Sequence, residues 1–351
     1  MARYPFPIPF GWFQVGYLED FPAGEAKPLY YFGRHLVAWR DDTGVVHVQD
    51  AFCPHLGAHL GHGGTVEGCQ IVCPFHGWKY DGDGANTEIP YSDRTNRKAR
   101  LGTYPVVERN GLVMAWYHPH GEAPKWEVPE VGEFGDHPDF STVIRTSYRI
   151  DACWQEMAEN GVDSAHFRYV HNTATVPDID GYVTDGFESE MRSSQKFPTP
   201  RGVMEGRIDT HAWGAGFSVV WFTGIIDTVN LATTTPIDAE RCEIRFNFRF
   251  RTMGDEATTA NVGRAFVAEV DKQIQEDRPI WEHKAHLVRP ALADADGPFT
   301  KFRRWASQFY AEPGPDAGGD ERLVFPPPLW EDRMDDAPAK STASARNAAS
   351  S

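Results

Sequence analysis

Two short loops, Cys53-Pro54-His55-Leu56-Gly57 and Cys73-Pro74-Phe75-His76-Gly77-Trp78, constrain this chain more than any other feature. Each offers one thiol and one imidazole. Two cysteines and two histidines can hold zinc, but zinc sites usually pair Cys with Cys and His with His. One Cys and one His from each loop more naturally supply a [2Fe-2S] centre in which two imidazoles replace two thiolates on one iron. The flanking Pro and Gly residues let backbone amides approach the sulfurs. The five cysteines, Cys53, Cys69, Cys73, Cys153 and Cys242, are an odd number at uneven intervals. That suits a reduced compartment and a metal site better than a disulfide framework.

The loops sit among short runs that read as strands, at 35–39, 45–48, 70–73 and 112–116. Turn signals such as Asp41-Asp42-Thr43-Gly44 and Arg109-Asn110-Gly111 separate them, so residues 10–120 are expected to form a small antiparallel β domain. Cys69 reads as a small buried residue or an idle thiol, and His59 and His62 as structural or solvent-facing. With 351 residues the chain can bury two cores. A formal net charge of -16 argues against nucleic acid or an anionic membrane as the main partner. No apolar run reaches the roughly 20 residues needed to span a bilayer, and the first residues lack the apolar core of a signal peptide, so a cytoplasmic protein is expected.

A Pro/Gly/Glu-rich stretch at 119–135 reads as a linker to a second domain over 136–312. Strands are expected at 141–150, 217–222, 225–231 and 241–250, the last alternating as a half-buried strand does, and a helix at 261–288. This predicts an α+β arrangement in which a curved antiparallel sheet packs on one long helix. The stretch from Gln155 to His171 reads as helical. Asp163 and His166, three apart, share a helix face. His171 lies about 140° further round an ideal helix, so both imidazoles reach one metal only if the helix ends or bulges between them. In the long helix, Phe266, Val267, Val270, Ile274 and Trp281 form an apolar stripe, with Asp277 near its centre and Asp271 and Glu276 to either side. A carboxylate on a core-facing stripe needs a cation, a metal or several donors. Pro279 should bend or restart the helix. Asp277 then either caps the restarted segment or completes a two-His-one-carboxylate face with His166 and His171, a set suited to non-haem iron(II).

Cys53, His55, Cys73 and His76 match in full the Cys-x-His…Cys-x-x-His motif of the Rieske domain, which the first half resembles. The resemblance implies that Cys53 and Cys73 hold the buried iron, and that His55 and His76 hold the outer one with their edges near the surface. Together with these loops, Asn160-x-x-Asp163-x-x-His166-x-x-x-x-His171 closely resembles the catalytic domain of Rieske non-haem iron oxygenases. The segments 276–284 and 296–310 resemble the sterol-handling branch, namely the oxygenase component of 3-ketosteroid 9α-hydroxylase and the cholesterol 7-desaturases, where the carboxylate ligand sits at the position of Asp277. The resemblance implies roles for Asn160 and Asp163, a mononuclear Fe(II) with O2 as co-substrate, and a ring-shaped homotrimer in which Asp163 bridges cluster and iron of different protomers.

The sequence has neither the Gly-rich dinucleotide fingerprint after a strand nor the cysteine spacing of a plant-type ferredoxin. Electrons from NADH or NADPH are therefore expected through a separate reductase, with or without a ferredoxin. The expected activity is hydroxylation or desaturation of a bulky apolar, steroid-like ring system. Aromatic-ring oxygenases and O- or N-demethylases share the same iron chemistry. A non-catalytic Rieske electron carrier would have no use for His166, His171 and Asp277. Phe217, Trp221 and Phe222 are candidates to line a pocket. Beyond Tyr310 the chain reads as a C-terminal extension over 313–351, disordered from about 337.

Overall fold

Alternating short runs in the first half pair as strands: β1 (Gly11–Tyr17), β2 (Ala26–Tyr31), β3 (Arg34–Arg40), β4 (Val46–Asp50), β5 (Thr65–Glu67), β6 (Gln70–Val72), β7 (Lys79–Asp81), β8 (Asn86–Glu88), β9 (Thr103–Tyr104), β10 (Val106–Arg109) and β11 (Leu112–Tyr117). The computed structural model describes residues 3–199, 202–224 and 226–311, so the extension expected at 313–351 lies outside the described residues. The strands form antiparallel sheets of order β1-β11-β10, β2-β3-β4-β9 and β5-β6-β7-β8. Val37, Trp39, Leu60, Ile71 and Tyr80 make a core of their own, to which the thiols of Cys53 and Cys73 belong. The side chains of β1 and β11 pack instead into a second core that continues through the rest of the chain.

That second half runs β12 (Ile144–Ile150), α1 (Trp154–Asn160), α2 (Ala165–Tyr169), β13 (Asp178–Asp185), β14 (Glu188–Thr199), β15 (Gly202–Trp213), β16 (Phe217–Thr223), β17 (Thr228–Pro236), β18 (Cys242–Phe250), α3 (Glu256–Trp281) and α4 (Phe299–Ala306). The strands form one antiparallel sheet of order β12-β18-β17-β16-β15-β14-β13, and α3 lies against β12 and β18. The α+β architecture expected from sequence is thus present. No helix among the described residues is long and apolar enough to cross a membrane.

Several expectations need correction. The strand expected at 225–231 begins at Thr228 and runs on to Pro236, because the β-branched Thr233, Thr234 and Thr235 extend the pairing with β18, Thr233 also pairing with Phe217 of β16. The helix expected at 261–288 spans Glu256–Trp281. Asp255 starts it early, its carboxylate accepting the Thr258 amide at 2.7 Å as an N-cap. Pro279 does not restart the helix. It falls in the last turn, where only two residues follow, so the missing N–H costs little continuity.

The alternation of β18 is real, but its polar face does not meet water. Glu243, Arg245, Asn247 and Arg249 are all buried. Arg245 donates to Gln14 O at 2.7 Å and Tyr31 Oη at 2.6 Å, and pairs with Glu243 at 2.9 Å, locking the large sheet to the first half of the chain. Arg249 gathers the linker: its guanidinium donates to Ser141 O (2.6 Å), Gly135 O (2.7 Å), Phe140 O (3.2 Å) and Glu133 O. Burial holds its pKa below the usual arginine value, with Asp136 pulling the other way. Arg249→Ala strips charge-assisted bonds from several carbonyls at once, and is expected to lower the urea-unfolding free energy by about 2–4 kcal/mol.

Candidate active site

The two metal-type loops fold alike. Gly57 N donates to Cys53 O at 2.9 Å and Gly77 N to Cys73 O at 3.0 Å, and both glycines take positive φ (75° and 70°), which closes each loop tightly around its cysteine. Cys53 and Cys73 are buried. The His55 and His76 rings lie 4.7 Å apart, and His55 stacks on Trp78 at 4.4 Å. Nδ1 of both histidines is buried without a hydrogen-bond partner among the described residues. Inward-facing imidazole nitrogens with nothing to bond are costly unless a metal takes them. Two such nitrogens beside two buried thiols fit a [2Fe-2S] group ligated through Nδ1. The neighbouring Cys53 thiol draws the Cys73 thiol below its usual pKa, against the effect of burial. Tyr80, which carried no sequence expectation, places its hydroxyl 3.2 Å from Cys53 Sγ. Leu56 (65% exposed) and Phe75 (61% exposed) stand next to the histidines as an apolar collar. Cys69 is exposed, and His62 is exposed beside a half-buried His59.

In the second half, the helical stretch around His166 is two helices. α1 ends at Asn160, α2 carries His166 and ends at Tyr169, and the chain leaves it through Val170, whose amide still bonds His166 O at 2.7 Å, so that His171 comes to lie beside His166. Their rings lie 5.2 Å apart at 80°. Asp277 reaches them from α3: its Oδ2 is 3.2 Å from His171 Nε2, and one ligand atom from each of His166, His171 and Asp277 lies within 4.8 Å of the other two. The carboxylate caps no helix and is only 5% exposed. Three such donors on one side of a possible ion fit iron(II) with positions left open. Burial opposes a charge on His171, but the Asp277 and Glu276 carboxylates outweigh it and raise its pKa.

Asp163 sits outside this trio. Its Oδ1 accepts the amides of Ala165 (3.0 Å) and His166 (3.3 Å) and lies 3.8 Å from His166 Nδ1. Burial raises its pKa, but the His166 imidazole and those amides outweigh this and hold the carboxyl below its usual range. Its side chain remains 32% exposed. Asn160 accepts the Trp281 indole N–H at 3.2 Å, leaving its NH2 as a donor. α1 itself is pinned through two buried carboxylates: Glu156 meets Lys284 and His286, both at 2.6 Å, and Glu159 meets Arg303 at 2.6 Å.

A cavity of about 340 Å³ opens beside the trio, between α3 and the sheet. Its walls are apolar, with Trp154, Phe217, Phe222, Phe246, Phe248 and Trp305 among them. Gln195 and Asn230 add polar groups. Phe222 lines it as anticipated, on the strand face of Ser218 and Val220, and Phe217 borders it at the first residue of β16, whereas Trp221 does not: alternation turns it to the other face, its indole N–H toward Glu133 Oε1 (3.5 Å). Ser189, Met191, Ser193 and Gln195 of β14 also line the cavity although no strand was expected there, their alternation of small polar and apolar residues giving only a weak period-2 signal.

Comparison with known proteins agrees with this layout. Residues 11–105 match the family model of the Rieske [2Fe-2S] domain, and residues 115–310 that of the 3-ketosteroid 9alpha-hydroxylase C-terminal domain. The chain is similar to the oxygenase component of 3-ketosteroid-9-alpha-monooxygenase from Rhodococcus rhodochrous, with 32% identity over 321 residues covering 86% of this chain and 84% of that protein. It is similar to cholesterol 7-desaturase from Caenorhabditis elegans, with 29% identity covering 88% of this chain and 78% of that protein. Among solved structures, dicamba monooxygenase bound to dicamba shares the fold with a TM-score of 0.71 at 19% identity, over 85% of this chain and 96% of that one. With one family model on each half and a relative about a third identical along most of its length, the chain belongs to the Rieske oxygenases of the 3-ketosteroid 9α-hydroxylase family.

Proposed function

We propose that this chain is a terminal oxygenase that hydroxylates or desaturates a bulky, apolar, steroid-like substrate. The observation that carries the proposal is the convergence of His166, His171 and Asp277 at a largely apolar cavity of about 340 Å³. Cys53, His55, Cys73 and His76 would hold the [2Fe-2S] group, and His166, His171 and Asp277 the iron(II). When bound, the first supplies electrons singly and the second supplies the chemistry of oxygen activation. The protein's own part is positional. The aromatic walls exclude water and orient a rigid apolar body, within the roughly 300–1,000 Å³ range of small-molecule sites. Asn160 presents its NH2 at the cavity beside Trp281.

Asp163 has an oxygen to spare and a partly exposed face, which suits a bridge from His166 to His76 of the partner subunit in a ring-shaped homotrimer. Electrons would come from NADH or NADPH through a separate reductase, with or without a ferredoxin. The apolar collar around His55 and His76 is a suitable contact for either partner. The names of the relatives, one a steroid monooxygenase component and one a cholesterol desaturase, favour a steroid-like substrate over the aromatic-ring and demethylase chemistries of the wider family.

The test is anaerobic reduction of iron-loaded protein, then oxygen exposure with a panel of steroids and aromatics. Oxygen uptake coupled to a hydroxylated or desaturated steroid supports the proposal. Coupling only to aromatics, or to none of the panel, removes the substrate assignment. Tyr80 offers a check on the first centre. A hydroxyl donating to a ligand sulfur stabilises the reduced, more negative cluster. Tyr80→Phe is expected to lower its midpoint potential by about 20–65 mV, the one-electron equivalent of a hydrogen bond worth roughly 0.5–1.5 kcal/mol.

A further inference from the structure

His171 is engaged at both ring nitrogens. Its Nε2 faces Asp277 Oδ2 at 3.2 Å, while its Nδ1 lies 2.9 Å from Glu276 Oε2. Neighbouring residues on a helix project about 100° apart, so Glu276 and Asp277 straddle one imidazole. The two carboxylates differ in setting. Asp277 is buried with the cavity, whereas the Glu276 side chain is 30% exposed, with Lys272 Nζ 3.8 Å from its other oxygen. Glu276 has water available and still turns onto an imidazole whose side chain is only 2% exposed.

Tautomer chemistry makes the contact directional. A neutral imidazole that offers the Nε2 lone pair to a metal keeps its proton on Nδ1, and that N–H needs an acceptor when buried. Among the described residues, Glu276 is the acceptor within hydrogen-bond reach. We infer that Glu276 is a positioning residue for the mononuclear metal: it takes the Nδ1–H of His171, fixes the ring's tautomer and orientation, and makes Nε2 a stronger donor. The inference rests on the reading of His166, His171 and Asp277 as an iron(II) site. It also gives the two imidazoles different supports, with Asp163 beside His166 at 3.8 Å and Glu276 on His171. An outer carboxylate of this kind both orients a ligand histidine and raises its basicity.

The experiment is anaerobic Fe(II) titration of the full chain carrying its cluster, for the parent, Glu276→Gln, Glu276→Leu and His171→Ala. Gln keeps an acceptor oxygen without the charge, and Leu removes both. The Leu variant is expected to bind Fe(II) about 10–100-fold more weakly than the parent. The Gln variant is expected between the two, with cluster absorption unchanged in both. A folded Leu variant that binds Fe(II) within about twofold of the parent overturns the inference while the iron site stands; if the Leu variant does not fold, the same result for Glu276→Ala, which also removes the acceptor, overturns it. A parent that binds no Fe(II), or a His171→Ala variant that binds it as well as the parent, overturns the iron site itself and the inference with it.

Discussion

Asp277→Ala is expected to purify with an unchanged cluster spectrum and almost no mononuclear iron. Asp277 reaches the two imidazoles from α3, more than a hundred residues beyond His171 in the chain, and it is the anionic member of the trio. Losing it leaves two neutral nitrogens to hold a doubly charged ion in a buried site, which costs more than the roughly 10–100-fold that an outer-shell partner is worth. Alanine is the best helix former, so α3 keeps its geometry and the loss stays local. Iron-to-cluster ratios and an anaerobic Fe(II) titration give the answer. A variant that retains full iron would show that another carboxylate completes the set, and Glu276, one residue away, is the first to examine.

Asp163→Asn should show the opposite pattern, with both metal centres filled and turnover reduced by about 10–100-fold. Asparagine keeps the oxygen that accepts the Ala165 and His166 amides, so the start of α2 and the placement of His166 survive. It loses the negative charge that the surroundings hold ionised. Chemical reduction of the cluster is expected at the parent's rate. Reoxidation by oxygen in the presence of substrate, and reductase-driven product formation, are expected to slow. Turnover at the parent's rate would rule Asp163 out as the junction between the two centres.

The residues of both candidate sites were legible because ligand chemistry restricts residue type and spacing. Two loops with a thiol and an imidazole each, and Asp163-x-x-His166-x-x-x-x-His171, stand out without any knowledge of the fold. The stripe on α3 marked Asp277 because an acidic residue among apolar ones at helical spacing has few inexpensive explanations. The hairpins over β13 to β15 were missed. Many of their side chains are exposed or only half-buried, so sequence alternation is faint and the backbone ladder defines them.

What the sequence determined by itself is the inventory: an α+β chain, two candidate centres in order, and a carboxylate that burial obliges to find a partner. What tertiary structure decided is which groups meet. The polar face of β18 reads as solvent-facing, yet Arg245 and Arg249 are buried against the first half and the linker, because a period of two says that a strand has two faces and not what covers each. Likewise Glu276 and Asp277 are consecutive acids in sequence, and only the return of the chain after α2 puts His171 between them, one carboxylate on each ring nitrogen. Spacing along one element fixes directions within that element. The distance between elements far apart in sequence is set by the packing of the sheet and α3, which no local pattern encodes.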